Sequence, residues 1–318
     1  MAAPMVGLSH VIAFRRLTLG LLVLSCWLSG CTADREAPAD VAAESDEDEL
    51  INGKIAADGD FRPTLLIENS CTAVKVGPRR ILTAAHCVDG RGGRVLQAGQ
   101  KLMFHTENAV TDKTVLSLAK YAEIESVRMH PSYVSGADLA DAPDVAVIVV
   151  RGATLDDVPS ALVDLDPVAL SSKLIIAGYG CRQVMMGGGT GDHTLTFATA
   201  KTVPASSIGL PYVTERLQLI DQNFVVTPGP ATVDGAAGVC PGDSGGPVFR
   251  IGTTKLTVAA ISSFTAGATR DGPRGNFLAR LHEGSRHSVG EWLSQQGVRL
   301  SRPCKDAKRC AAFVKKPD

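Results

Sequence analysis

From Ile51 to about Leu281 the chain is a succession of short apolar runs separated by Gly, Pro, Asp and Asn. They include TLLIE (64–68), RILTAA (80–85), DVAVIVV (144–150), KLIIAGYG (173–180), FVVTP (224–228), GPVFRI (246–251) and KLTVAAISSF (255–264). Short runs rich in β-branched residues and bounded by turn formers are the signature of strands. About 230 residues of them, with no βαβ rhythm, predict an all-β sandwich or barrel. One helix is predicted over 285–296. Ser285 or Ser288 serves as its cap, Val289, Trp292 and Leu293 share one face, and Gly297 stops it.

The two ends read differently. Arg15 and Arg16 precede the apolar run LTLGLLVLSCWLSG, which is short for a membrane span, so residues 1–30 read as a signal peptide. It ends in Leu28-Ser29-Gly30-Cys31, which resembles the lipobox of bacterial lipoproteins, where the cysteine is acylated. An ordinary cleaved signal with an incidental Cys31 is the alternative. Lipidation at Cys31 places the protein at the bacterial cell envelope, and Thr32 after it leans towards an outer membrane or cell surface. The next residues, up to Leu50, form an acidic tether or pro-segment. Residues 32–50 carry eight acids and one Arg, too little apolar surface to fold. Residues 298–318 form a basic C-terminal extension. The formal net charge of −1 gives no electrostatic case for nucleic acid.

Cys26 lies in the signal and Cys31 takes the lipid. The six remaining cysteines are an even number in an exported chain, which suggests three disulfides whose connectivity composition does not choose.

Three motifs carry chemistry. Hydrolysis by a serine hydroxyl needs a general base, a group that orients the base, and fixed donors for the developing oxyanion. Ser244 in GDSGGP is the candidate nucleophile. His86 in ILTAAHCV is the base. Asp144, leading the apolar run DVAVIVV, is a carboxylate costly to bury without partners and is the orienting acid. Gly242 lets its own N–H and that of Ser244 form the oxyanion hole. His105, His130, His193, His282 and His287 lack such contexts and read as structural or surface groups.

LTAAHC, DVAV and GDSGGP, in that order, resemble the trypsin/chymotrypsin-like serine protease family, over about Ile51 to Gln296. The resemblance implies an all-β fold of two six-stranded antiparallel β-barrels with a C-terminal α-helix. The expected domain spans 51–297, with barrels at about 51–165 and 166–283. It implies a serine endopeptidase working through an acyl-enzyme on His86, Asp144 and Ser244. A catalytically silent homologue that binds a protein partner is the rival. The implied partners are a protein or peptide substrate, an activating protease and an inhibitor, with the membrane reached by the lipid anchor alone. No cofactor or metal is implied.

The same resemblance extends to finer details. INGK at Ile51 resembles the family's new N-terminus, so cleavage of Leu50–Ile51 is expected to free an ammonium that pairs with Asp243, and to release the domain from its anchor. Ser262 matches the serine whose hydroxyl contacts the buried Asp144, and Ser262 to Phe264 is expected to pair with an extended substrate. Gly238, Val239, Ser262, Phe264 and Asn276 are expected to form the specificity pocket. Gly238 stands where trypsin itself has an acid, which argues against strict cleavage after basic residues. A disulfide Cys71–Cys87 is implied beside His86. The family's usual partner for Cys240 is missing, which suggests Cys181–Cys240 and leaves Cys304–Cys310.

Overall fold

The computed structural model describes residues 50–91, 93–136, 139–181 and 193–305, all within one compact unit. The signal peptide, Cys31, the tether up to Glu49 and the end of the C-terminal extension with Cys310 lie outside these residues.

Six strands close an antiparallel barrel in the order Thr64–Ile67, Cys71–Gly77, Arg80–Thr83, Ala146–Val150, Lys120–Met129 and Lys101–His105. The side-chain pattern follows position in the barrel. In Lys120–Met129, Ala122 and Ile124 are buried while Glu123 and Glu125 face water, the period of two expected of a strand with one wet face. Cys71–Gly77 and Ala146–Val150 are buried on both faces. For Cys71–Gly77 the reason is that its start meets the second half of the molecule, where Thr72 N–H donates to the Ser244 carbonyl at 2.8 Å.

The second half is a curled sheet. Its antiparallel strands run Thr196–Lys201, Lys173–Gly178, Pro247–Arg250, Thr257–Ala266, Gly275–Arg280 and Phe224–Pro228. Val203, just past the first of them, bridges Val226 in the last, so a single bridge brings the two ends together. Lys54–Ile55 pairs with Thr196–Lys201, and Leu162–Val163 adds in parallel to Thr257–Ala266. One apolar cluster runs through both halves, from Ile81, Phe104 and Val147 to Phe224, Phe249 and Phe277. Shared burial of this kind fixes the two halves against each other.

The predicted C-terminal helix is shorter than expected, Val289–Ser294. Ser285 Oγ accepts the Val289 N–H at 2.9 Å and so acts as the cap, while Ser288 stands in the left-handed region. Val289, Trp292 and Leu293 are buried, and Gly297 follows with a φ of +69°. A longer helix, Thr214–Asn223, has no counterpart among the predicted elements; it buries only Ile220 and Asn223 and has almost no apolar stripe.

Candidate active site

The register of two strands sets the first part of the site. Thr83 pairs with Ala146, so the residues running off that end of the barrel meet. Past Thr83 the chain makes a short 3-10 turn, Ala85–Cys87, and Cys87 is tied by a disulfide to Cys71 on the neighbouring strand. His86 is thereby held beside Asp144.

Asp144 is completely buried and fully engaged. Its Oδ1 accepts the His86 backbone N–H at 2.9 Å, and its Oδ2 lies 2.7 Å from His86 Nδ1. Ser263 Oγ donates to the same Oδ2 at 2.6 Å. Burial pushes the Asp144 carboxyl up, but the hydrogen bond and charge of His86, the Ser263 hydroxyl and the backbone N–H outweigh it and hold the group below the usual carboxylate range. A proton on Nδ1 satisfies the carboxylate and leaves Nε2 as the acceptor on the cleft side.

Ser244 sits on the turn between Cys240 and Pro247. The turn is packed so closely that glycine is required at two places. A Cβ on Gly242 would lie 2.8 Å from the Gly180 Cα, and one on Gly245 would lie 2.0 Å from Thr83 Oγ1. Both have positive φ, +104° and +81°. Thr72 locks the turn from below: its Oγ1 donates to the Gly242 carbonyl at 2.7 Å and accepts the Tyr179 N–H at 2.9 Å. Gly245 N–H donates to the Ser262 carbonyl at 2.7 Å. Among the described residues, neither the Gly242 N–H nor the Ser244 N–H donates to another backbone group.

His86, Gly242 and Ser244 line one cleft of about 440 Å³, together with Val239, Phe264 and Thr265. Ser244 and His86 face this shared space without a hydrogen bond between their side chains, a spacing common in sites that tighten only around substrate. The one group of potential metal-ligating atoms among the described residues is Cys71, His86 and Cys87. Both cysteines are consumed in the disulfide and offer no thiolate.

Several expected positions move. Ser263, not Ser262, contacts Asp144; the Ser262 hydroxyl is buried without a partner among the described residues. The strand is bulged between Ser262 and Phe264, which turns Ser263 to the face that a regular strand would give its neighbour. The cleft wall is accordingly Ser263 to Thr265. Val239 and Phe264 line this cleft, while Gly238 and Asn276 are not among the residues lining it. Asn276 is buried, accepts the Val239 N–H at 2.8 Å and donates to Thr227 and the Ala237 carbonyl. Gly238 N–H donates to the Ile51 carbonyl at 3.0 Å.

Asp243 is buried, and Ile51 is not among its hydrogen-bond partners in the continuous chain. Its two oxygens accept the Gly180 and Cys240 N–H groups at 2.8 and 3.0 Å. Burial pushes its carboxyl up to about 7, against these two backbone donors. Cys181 and Cys240 form a disulfide beside this carboxylate. Cys304 is also disulfide-bonded, with its expected partner Cys310 outside the described residues. His130 and His282 are driven down to about 4, chiefly by burial, and remain neutral near pH 7. Residues that the motifs did not reveal are Ser263, Thr72 and Arg91, the last a charged side chain on the cleft wall.

Comparison with known proteins gives two matches. The family model described as Trypsin matches residues 50–283. A "Trypsin-like protease" of Streptomyces glaucescens is 26% identical over 245 residues, spanning 74% of this chain and 79% of that protein.

Proposed function

The chain belongs to the trypsin family, and on that premise we propose that it is an exported serine endopeptidase. Ser244 attacks the peptide carbonyl, and His86 Nε2 takes the hydroxyl proton and passes it to the departing amine. Asp144 holds the imidazole and stabilises its charged form, and the N–H groups of Gly242 and Ser244 receive the oxyanion. Water then hydrolyses the acyl-enzyme by the same route in reverse. The observation that carries this reading is the buried Asp144 carboxylate bonded to His86 at 2.7 Å in the cleft that also holds Ser244. Val239, Phe264 and Thr265 make the cleft wall on the second half of the molecule uncharged, which suits small or medium uncharged side chains before the scissile bond.

Activation by cleavage at the head of the domain is part of the proposal. The sequence motif suggested Leu50–Ile51; two observations favour Glu49–Leu50 instead. Leu50 is wholly buried while Ile51 is partly exposed. Leu50 also holds a φ of +53°, a strained conformation for leucine that vanishes once the preceding peptide is cut. The freed ammonium, which ordinarily titrates near about 8, is then the missing partner of Asp243. In this reading the acidic segment and lipidated Cys31 hold the precursor at the cell envelope, and cleavage releases the protease.

The test is turnover of a peptide library, with products identified by mass and the active protein sequenced from its N-terminus. Internal peptide-bond cleavage by wild type, none by Ser244→Ala, and an N-terminal Leu50 support the proposal. A folded, cleaved chain that hydrolyses nothing contradicts it and favours the silent binding homologue.

A further inference from the structure

The cleft contains one permanently charged side chain that the proposed chemistry does not use. Among the described residues lining it, Arg91 and His86 alone carry ionisable groups. Arg91 is held in place from behind. Its Nε and backbone N–H donate to Asp89 at 3.1 and 2.9 Å, its Nη2 donates to the Tyr133 hydroxyl, and the Tyr133 hydroxyl donates to Asp89 at 2.6 Å. The guanidinium also lies 5.6 Å from the centre of the Tyr133 ring. The Asp89 side chain is 4% exposed and that of Arg91 35%, so the carboxylate is behind the cation and the cation faces the opening. Nη1 has no partner among the described residues, which leaves a donor of the fork for an incoming group.

The side of the cleft on which Arg91 stands follows from the proton path. The acyl part of a substrate lies on the second half of the molecule, between the Gly242 and Ser244 N–H groups and the strand edge at Ser263–Thr265. The departing amine receives its proton from His86, so the segment after the scissile bond crosses His86 and the wall made by the first barrel. That wall consists of Ser70, Cys71, His86 and Arg91.

We propose that Arg91 is a specificity-determining residue that selects substrates with an acidic side chain one or two residues after the scissile bond. This rests on the protease reading above. A carboxylate there completes a charge-assisted hydrogen bond to a guanidinium already fixed by Asp89 and Tyr133, so little side-chain entropy is lost on binding. A basic residue in the same place meets a like charge.

The experiment is a set of internally quenched peptides identical except for Glu, Gln or Lys at the first or second position after the scissile bond. Each is made with an amidated and with a free C-terminus, so that side-chain and terminal carboxylates are told apart. In wild type, kcat/KM is expected to favour Glu over Gln by about fivefold, the scale of one partly exposed charge pair, and to fall further with Lys. The preference shrinks in high salt. In Arg91→Gln it drops to about unity, and in Arg91→Lys it is partly kept. Equal wild-type rates across the set overturn the inference while leaving the protease reading intact, as does a preference that persists in Arg91→Gln. Faster cleavage of the free than of the amidated peptides, equal for Glu and Gln and lost in Arg91→Gln, assigns Arg91 to the terminal carboxylate and overturns the side-chain assignment. No cleavage of any peptide by folded, cut protein overturns both readings.

Discussion

The Ser263 hydroxyl donates to Asp144 Oδ2 at 2.6 Å, sharing that oxygen with His86. It is a charge-assisted bond to a carboxylate with no access to water, so its loss leaves a buried charge one donor short. Ser263→Ala is expected to raise the Asp144 pKa and lower kcat/KM by about tenfold, with the acid limb of the pH–rate profile moved up. Ser262→Ala removes a hydroxyl that has no partner and is expected to leave both the rate and the melting temperature nearly unchanged. A pH–rate profile of the two variants side by side checks this pair.

Asp144→Asn keeps the shape of the site but replaces an acceptor with an amide. The amide stabilises the other imidazole tautomer and no longer offsets imidazolium charge. A fall in kcat of about four orders of magnitude is expected, with KM little changed, in a protein whose unfolding midpoint shows that it is still folded. Steady-state kinetics with the best peptide of the library measures it.

Asp243 gives a pH dependence of opposite sign to that of Asp144. In the uncut chain its folded pKa, about 7, lies above the unfolded value of 3.8. The folded state therefore binds the extra proton between these values, and stability falls as pH rises from about 4 to about 7, by up to about 4 kcal/mol. Asp243→Asn in the uncut chain is expected to remove this slope. Cleavage at Glu49–Leu50 is expected to reverse it, because the new ammonium favours the ionised carboxylate. Denaturant midpoints of the cut, uncut and Asn forms at pH 5 and pH 8 decide the sign.

The Cys181–Cys240 disulfide closes a loop with a sequence separation of 59 beside the oxyanion turn. Cys181→Ala/Cys240→Ala is expected to cost about 4 kcal/mol by chain entropy. It is also expected to lower kcat more than it raises KM, since the Gly242 N–H depends on the position of this turn. Cys71–Cys87, with a separation of 16, is expected to contribute about 3 kcal/mol. Unfolding curves and kinetics of the two double variants separate stability from positioning.

The parts of the fold and site that were legible in the sequence are those where physics demands residue types. The strand FVVTP coincides with Phe224–Pro228 because a doubly buried strand needs a continuous apolar run. Gly242 is legible because no side chain fits where it stands. Choices between adjacent residues were not legible. Ser262 and Ser263 are chemically identical, and a bulge decides which one faces Asp144. Leu50 and Ile51 are both apolar, and the bridge of Ile51 to Gly238 decides which is buried deepest. Arg91 was invisible because a lone cation in a turn is ordinary until the fold brings it to the cleft. The helix Thr214–Asn223 is not legible because its sequence, TERLQLIDQN, has too few apolar positions to show a helical stripe.

A fluorophosphonate probe reports whether Ser244 is a nucleophile activated through His86 and Asp144. The target is the chain cut at Glu49–Leu50, with the adduct located by peptide mass mapping. One adduct per chain on Ser244 is predicted, absent in Ser244→Ala and formed far more slowly in His86→Ala and Asp144→Asn. A folded, cut chain that stays unlabelled at Ser244, or labels equally fast without His86, shows that Ser244 is not activated in this way.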